Sequence, residues 1–225
     1  LTLPLDDVTL AGDLSIPSAA RGLVVFAHGS GSGRFSPRNR AVAEELVNSR
    51  LATLLMDLLT SEEEAEDRRT ARLRFDVQLL GERVIGTIDW LASDPVLGEL
   101  PFGCFGASTG AAAALVAAAG RPSTVAAVVS RGGRPDLAED RLSSVRQPAL
   151  LIVGELDTDV IELNRWAMLR LGGEARLEIV AGASHLFQEP GALEQVAELA
   201  RRWFTDHLKP AQRDYRRSEE TSADG

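Results

Sequence analysis

The sequence predicts an α/β protein built on one mostly parallel sheet of about eight strands, with helices on both faces and no substantial lid. Three observations predict it. Short apolar runs alternate with amphipathic stretches of helix length almost throughout the 225 residues. The intervals between most of those runs are long enough for a helical crossover, which parallel pairing requires. Hydrophobic residues make up 44% of the chain, ample for one large core.

Residues 1–5 and 8–16 read as two extended segments with no helix between them, so they should form an antiparallel edge. Pro17 and a polar turn close the second. Residues 22–27 are a continuous apolar run, the pattern of a strand buried on both faces. A glycine-rich turn, His28-Gly29-Ser30-Gly31-Ser32-Gly33, follows it. Pro37 suits the first turn of a helix reaching about Ser49, with Ala41, Val42, Leu46 and Val47 on one face. Residues 51–58 form a second buried strand. The acidic run 62–67 reads as a solvated helix start, its carboxylates near the positive end of a helix dipole. A long helix is expected from about Ala71 to Leu91.

The same alternation then repeats. Residues 101–107 read as a strand, and 109–119 as an alanine-rich helix closed by Gly120 and Pro122. Residues 125–130 form a strand, and 132–147 a connector holding at most a short helix. A strand over 149–154 leads to a helix over 160–171 that Gly172-Gly173 stops. A strand over 176–180 and a helix over 190–208 complete the fold. One domain is therefore expected over residues 1–209, and the polar, charged residues 210–225 read as a flexible tail.

Composition narrows the function. A net charge of −9 argues against nucleic acid or an anionic membrane surface as the main partner. The single cysteine, Cys104, excludes an internal disulfide and a cysteine-based metal cluster. The longest apolar run, residues 111–119, is far shorter than a bilayer helix. The expectation is a cytoplasmic protein with a small-molecule substrate, no cofactor and no metal. The chain opens at Leu1 rather than Met, which leaves open a trimmed start, although nothing in it resembles a signal peptide.

Active groups of such sheets lie just past the carboxyl ends of strands, and four of those ends carry polar residues that belong together. The first is Gly106-Ala107-Ser108-Thr109-Gly110, a G-x-S-x-G between a strand and a helix. A nucleophilic Ser108 needs a tight turn that projects its hydroxyl, and the flanking glycines let strand and helix approach closely. Chance gives about 0.1 such pentapeptides at this composition, and the strand-turn-helix context adds to that signal. Gly154-Glu155-Leu156-Asp157 places a carboxylate after one buried strand, and Gly182-Ala183-Ser184-His185 places an imidazole after the next. Ser108, Asp157 and His185 stand in the chain order of a nucleophile, acid and base triad. Asp136 and Asp159 are rival acids. His28 is expected to hold its glycine turn by hydrogen bonds, and His207 to sit on the final helix. The fourth end is the His28–Gly31 turn itself. The amides of Thr109 and Ser30 are the expected donors to an oxyanion, each worth about 3 kcal/mol of transition-state stabilisation. Its glycines do not make a phosphate cradle, because Arg34 stands where G-x-G-x-x-G needs glycine and no Walker lysine follows.

From the opening strands to about Leu208, the chain resembles the α/β-hydrolase superfamily, and within it the lidless dienelactone-hydrolase-like branch. The resemblance rests on His28-Gly29-Ser30-Gly31, 106–110, 154–157 and His185. It implies Ser108 as nucleophile, His185 as base, Asp157 as its orienter, and Ser30 and Thr109 as oxyanion donors. Dienelactone hydrolase itself uses a cysteine nucleophile. Here Ser108 occupies that place, and Cys104 lies inside the preceding strand as inert core, so lactone specificity does not transfer. Residues 31–40 and 57–60 are also similar to hydrolase-like domains found beside phosphoribosyltransferase sequences, which assigns no substrate.

The expected reaction is hydrolysis of a small or medium ester or lactone through an acyl-enzyme. A binding protein that keeps the pocket without chemistry, and an acyltransferase using the same triad, remain the alternatives. The pocket should be built from loops 29–40, 57–67, 131–140 and 157–166. Arg34, Arg38, Arg40, Arg131 and Arg134 fall on that side. Some of them, Arg34 and Arg131 foremost, are candidates to hold a carboxylate or phosphate on the substrate. Trp166, in the helix after Asp157, is a further candidate to face the pocket. Trp90 and Trp203 read as core or helix–sheet packing, and Asp57 as a turn residue or a pocket wall, the turn being favoured. The oligomeric state stays open.

Overall fold

The computed structural model describes residues 1–209, so the expected tail lies outside the described residues. Eight strands form one sheet in the order β1-β2-β4-β3-β5-β6-β7-β8. They are β1 (Thr2–Pro4), β2 (Thr9–Ser15), β3 (Leu23–Ala27), β4 (Ala52–Met56), β5 (Phe102–Ala107), β6 (Val125–Arg131), β7 (Ala149–Gly154) and β8 (Ala175–Val180). β1 and β2 pair antiparallel, β2 joins β4 antiparallel, and every later pairing is parallel. The expected antiparallel edge is there.

Six helices cover the sheet: α1 (Pro37–Asn48), α2 (Ser61–Thr70), α3 (Val77–Ala92), α4 (Thr109–Gly120), α5 (Thr158–Met168) and α6 (Ala192–His207). The central strands are buried on both sides because their residues feed two cores in alternation. Leu23, Val25 and Ala27 of β3 face a core that includes α3 and α4, while Val24 and Phe26 face another formed with α1 and α6. This is the period of two of a strand read directly as burial. α4 is buried along nearly its whole length, which its run of alanines permits, since small side chains let a helix sit close to the sheet.

The long helix starts later than expected. Instead of a continuous helix from Ala71, α2 ends at Ala71 in the left-handed region (φ 52°), a 3-10 turn spans Leu73–Phe75, and α3 begins at Val77. Asp67 explains the break. It is 3% exposed, and a buried carboxylate demands donors. It accepts the N–H groups of Leu73 and Arg74 at 2.8 and 3.1 Å and the Arg74 Nε at 2.6 Å. The acidic run does start a helix, with Thr60 and Glu63 forming a reciprocal capping box. Between β6 and β7 a kinked 3-10 segment, Pro135–Ser144, fills the expected connector. No helix among the described residues is long and apolar enough to cross a membrane.

The chain runs from β3 outward to β4, then returns to the other side of β3 to lay down β5. The carboxyl ends of β3 and β5 are therefore the switch point of the sheet, where the connections depart in opposite directions and leave a crevice. Ala27 pairs with Gly106 in register, which sets the glycine turn after β3 beside the turn after β5.

Candidate active site

Ser108 joins β5 to α4 with φ 51° and ψ −122°. A positive φ on a non-glycine residue costs about 1–3 kcal/mol and persists only where the surroundings enforce it. The flanking glycines show how. A Cβ on Gly106 would stand 2.4 Å from the Ala111 Cα, and one on Gly110 would stand 2.3 Å from the Ala27 carbonyl oxygen. Strand, turn and helix are thus pressed together more tightly than any side chain permits. Ser108 is at the cap position of α4, yet its side chain makes no capping bond. Its backbone is tied to the neighbouring strand end, donating to the Arg131 carbonyl at 3.1 Å and accepting from the Arg134 N–H at 3.0 Å.

Asp157 also occupies a helix cap position, at the start of α5, and also makes no cap. Its Oδ2 instead accepts a hydrogen bond from His185 Nδ1 at 2.6 Å. That contact fixes the tautomer: Nδ1 carries the proton, and the Nε2 lone pair is left to accept one. The two loops are held together by backbone closeness, since a Cβ on Gly154 would stand 2.3 Å from the Ala183 carbonyl oxygen. Glu155 accepts from Gly182 N–H at 2.7 Å and Glu189 from Ser184 N–H at 3.0 Å. Bonds from the Ser184 hydroxyl and N–H hold the Glu189 carboxyl below its usual range. The rival acids are engaged or remote: Asp136 pairs with Arg134 at 2.7 Å, and Asp159 lies in the first turn of α5.

Ser108 and His185 line one cavity of about 200 Å³, together with Ser30, Ser32, Arg38 and Arg131. Among the described residues no hydrogen bond joins the Ser108 hydroxyl to the imidazole. A second cavity of about 220 Å³ shares Gly29, Ser30 and Ser32 with the first, and its wall includes Leu58, Leu59, Leu80 and Thr109. α2 closes its far side with Glu64, Asp67 and Arg68.

The two expected oxyanion donors meet each other. Ser30 N–H donates to Thr109 Oγ1 at 2.9 Å, so this amide is occupied, which the sequence did not foretell. As the first residue of α4, Thr109 has an N–H without an intrahelical partner. His28 holds its turn: Nδ1–H donates to the Gly29 carbonyl at 2.9 Å, and Nε2 accepts from Leu58 N–H at 3.1 Å. Burial lowers its pKa below the ordinary value. Cys104 is fully buried in β5, and burial pushes its thiol up to about 12.

Two candidates lie elsewhere. Arg34 is not in the Ser108 cavity; it pairs with Asp57, and its guanidinium covers Phe35 at 4.1 Å. Asp57 takes both of its expected places: it accepts from Arg34 N–H at 2.8 Å in the turn, and it also stands in the wall of the second cavity, whereas the sequence favours the turn alone. Trp166 faces outward, 39% exposed, with the Arg170 guanidinium 4.0 Å above its ring. An amphipathic helix whose inner face is filled by Val160, Ile161, Asn164 and Ala167 leaves Trp166 on the outer side. Arg131, in contrast, does enter the cavity. The sheet register pairs it with Ala107, directly beside the Ser108 turn.

The sequence and fold match known proteins along nearly the whole chain. The sequence model of the dienelactone hydrolase family matches residues 10–211. The chain belongs to that family. A dienelactone hydrolase from Anabaena variabilis is 56% identical, with a TM-score of 0.91 over 93% of this chain and 97% of that one. A Mycobacterium tuberculosis protein provisionally named a phosphoribosyl transferase is 58% identical over 201 residues. The match takes in 89% of this chain and 44% of that protein, so the chain spans less than half the length of that curated relative. Est1E from Butyrivibrio proteoclasticus, at 15% identity, shares the fold with a TM-score of 0.77 over 92% of this chain and 97% of that one. Within the dienelactone hydrolase family this chain is an α/β hydrolase with serine at the strand-to-helix turn.

Proposed function

We propose that the protein is a serine hydrolase that cleaves a small or medium carboxylic ester or lactone through an acyl-enzyme on Ser108. One observation carries the reading: Asp157 leaves its helix uncapped and instead holds His185 Nδ1 at 2.6 Å, and His185 lines the same cavity as Ser108. A structural aspartate at that position would cap the helix.

Ser108 Oγ attacks the acyl carbon while His185 Nε2 takes its proton. The serine and imidazole come within hydrogen-bond reach as substrate binds, a contact that commonly tightens only in the complex. Negative charge develops on the carbonyl oxygen, which the Thr109 N–H meets at the head of α4. The Ser30 N–H becomes the second donor when the oxyanion displaces the Thr109 hydroxyl. The alcohol leaves with the proton from His185, and water repeats the sequence on the acyl-enzyme. Asp157 keeps the tautomer and stabilises the imidazolium. The two cavities meeting at Ser30 give the acyl and alcohol parts separate places, the second of them walled by leucines. Phosphoribosyl transfer, named for the longer relatives, is not what a serine turn with an imidazole–carboxylate relay serves.

Ser108→Ala is expected to abolish p-nitrophenyl acetate turnover and labelling by a fluorophosphonate probe, with the tag mapping to Ser108 in the parent protein. Turnover that survives the substitution would end the reading.

A further inference from the structure

The structure divides the five arginines Arg34, Arg38, Arg40, Arg131 and Arg134. Arg34 is paired with Asp57, Arg40 with Asp13 at 2.9 Å, and Arg134 with Asp136 at 2.7 Å. Arg38 and Arg131 have no such partner: among the described residues nothing accepts a hydrogen bond from either guanidinium. They are also the two that line the Ser108 cavity. Arg131 is only 8% exposed, and its Nη1 and the Nε of Arg38 are buried without an acceptor. Burial, and then the charge of Arg38, bring the Arg131 pKa down to about 10, which leaves it charged at neutral pH.

Two unpaired guanidiniums in one cavity are costly. A buried donor without an acceptor loses its hydration with nothing in return, and the cost is larger when it is charged. Packing alone is better served by an apolar side chain of similar volume. No carboxylate lines the cavity, although the chain carries 33 of them. The site is therefore a pocket of positive potential in an acidic protein, completed only when an anion enters.

The donors come from separate elements and separate directions. Arg131 projects from the end of β6 and Arg38 from the first turn of α1. In that turn the backbone N–H of Arg38 lacks an intrahelical partner. The hydroxyl-bearing Ser32 and Ser36 lie along the same wall. A planar carboxylate has two oxygens and one charge, which one bidentate guanidinium satisfies. A phosphate monoester has three terminal oxygens and nearly two charges, which match two guanidiniums and the additional donors.

We propose that this cavity binds a phosphate group, so that the substrate is a small carboxylic ester bearing a phosphomonoester on its acyl or alcohol part. The ester half of this statement rests on the hydrolase reading above; the phosphate site does not. In turnover the Ser108 oxygen forms the new bond to the acyl carbon and the alkoxide leaves with the proton from His185. Water then releases the acid, and the phosphomonoester stays intact as the handle.

The test is calorimetric titration of inorganic phosphate, and of acetate at matched ionic strength, into the parent protein, Arg131→Gln and Arg38→Gln. Phosphate should bind one site saturably, at least tenfold tighter than acetate, and at least tenfold more weakly to each variant. Equal phosphate binding by parent and variants overturns the proposal, as does acetate binding as tightly as phosphate. Should Arg131→Gln fail to fold, Arg38→Gln, altered at a half-buried helix start, decides on its own. Fluorophosphonate labelling of Ser108 separates the two readings. Labelling with no phosphate binding removes this inference alone, whereas phosphate binding with no labelling removes the hydrolase reading alone.

Discussion

Asp157 and Ser108 are the two residues at this site that decline the local bond their positions offer. Each stands at a helix cap, each is of a type that caps well, and neither does so. The lost caps are local costs, and the bonds made instead join distant strand ends. Asp157→Asn keeps the size but removes the charge and allows the other imidazole tautomer. It should lower kcat by roughly 10³–10⁴-fold with little change in KM, which steady-state kinetics on a nitrophenyl ester will show. Thr109, the first residue of α4, also bonds across the site, its hydroxyl accepting from Ser30 N–H. Thr109→Val should destabilise the fold by about 1 kcal/mol through the unpaired amide, read from urea unfolding. Phe187, two residues past His185, has φ 53° and is 2% exposed. Packing of its ring in the α6-side core fixes the strained turn that aims His185.

At the level of elements, β5 and α4 form one unit whose closeness the glycines set. Gly110→Ala should cost at least about 2 kcal/mol, since its methyl would meet the carbonyls of Ala27 and His28 at 2.3 and 2.4 Å. A lowered urea midpoint at constant m-value is the expected result. The strands and their ends were legible in the sequence because apolar runs bounded by turn residues carry both the element and its terminus. That is why Ser108, Asp157 and His185 could be picked out before any coordinates. The break between α2 and α3 was not legible, because the arginines around it fit a helix as well as a turn; only the buried Asp67 decides between them. Only one of the two foremost arginine candidates reaches the Ser108 cavity, for a similar reason. A guanidinium's role depends on which carboxylate the fold brings near it, so Arg34 and Arg131 look alike in sequence and part company in three dimensions. Trp166 was misplaced by helical phase, since its helix presents one face to the sheet and that face is full.

Across the whole molecule, the switch point ties stability to the site. His28 links the turn after β3 to the turn after β4, and its Nε2 can accept from Leu58 N–H only when unprotonated. Its pKa is lowered in the folded state, so the unfolded chain binds that proton more tightly. The stabilisation from His28 is therefore complete above the unfolded value of about 6.5 and is lost as pH falls through the lowered folded value. Unfolding free energy should decline between pH 7.5 and 5.5 in the parent protein, and the decline should flatten in His28→Gln. Chemical denaturation at a series of pH values is the measurement. An unchanged slope in the variant would place the linkage elsewhere.

The lone thiol of this chain lies at the centre of the sheet, in β5 between the two cores. A thiol reagent can reach it only after neighbouring strands part, so the rate of dye attachment is a clock for opening of the central sheet. Because that strand leads straight into the Ser108 turn, the same clock would register whether a bound ligand quiets the breathing of the scaffold behind the reacting groups.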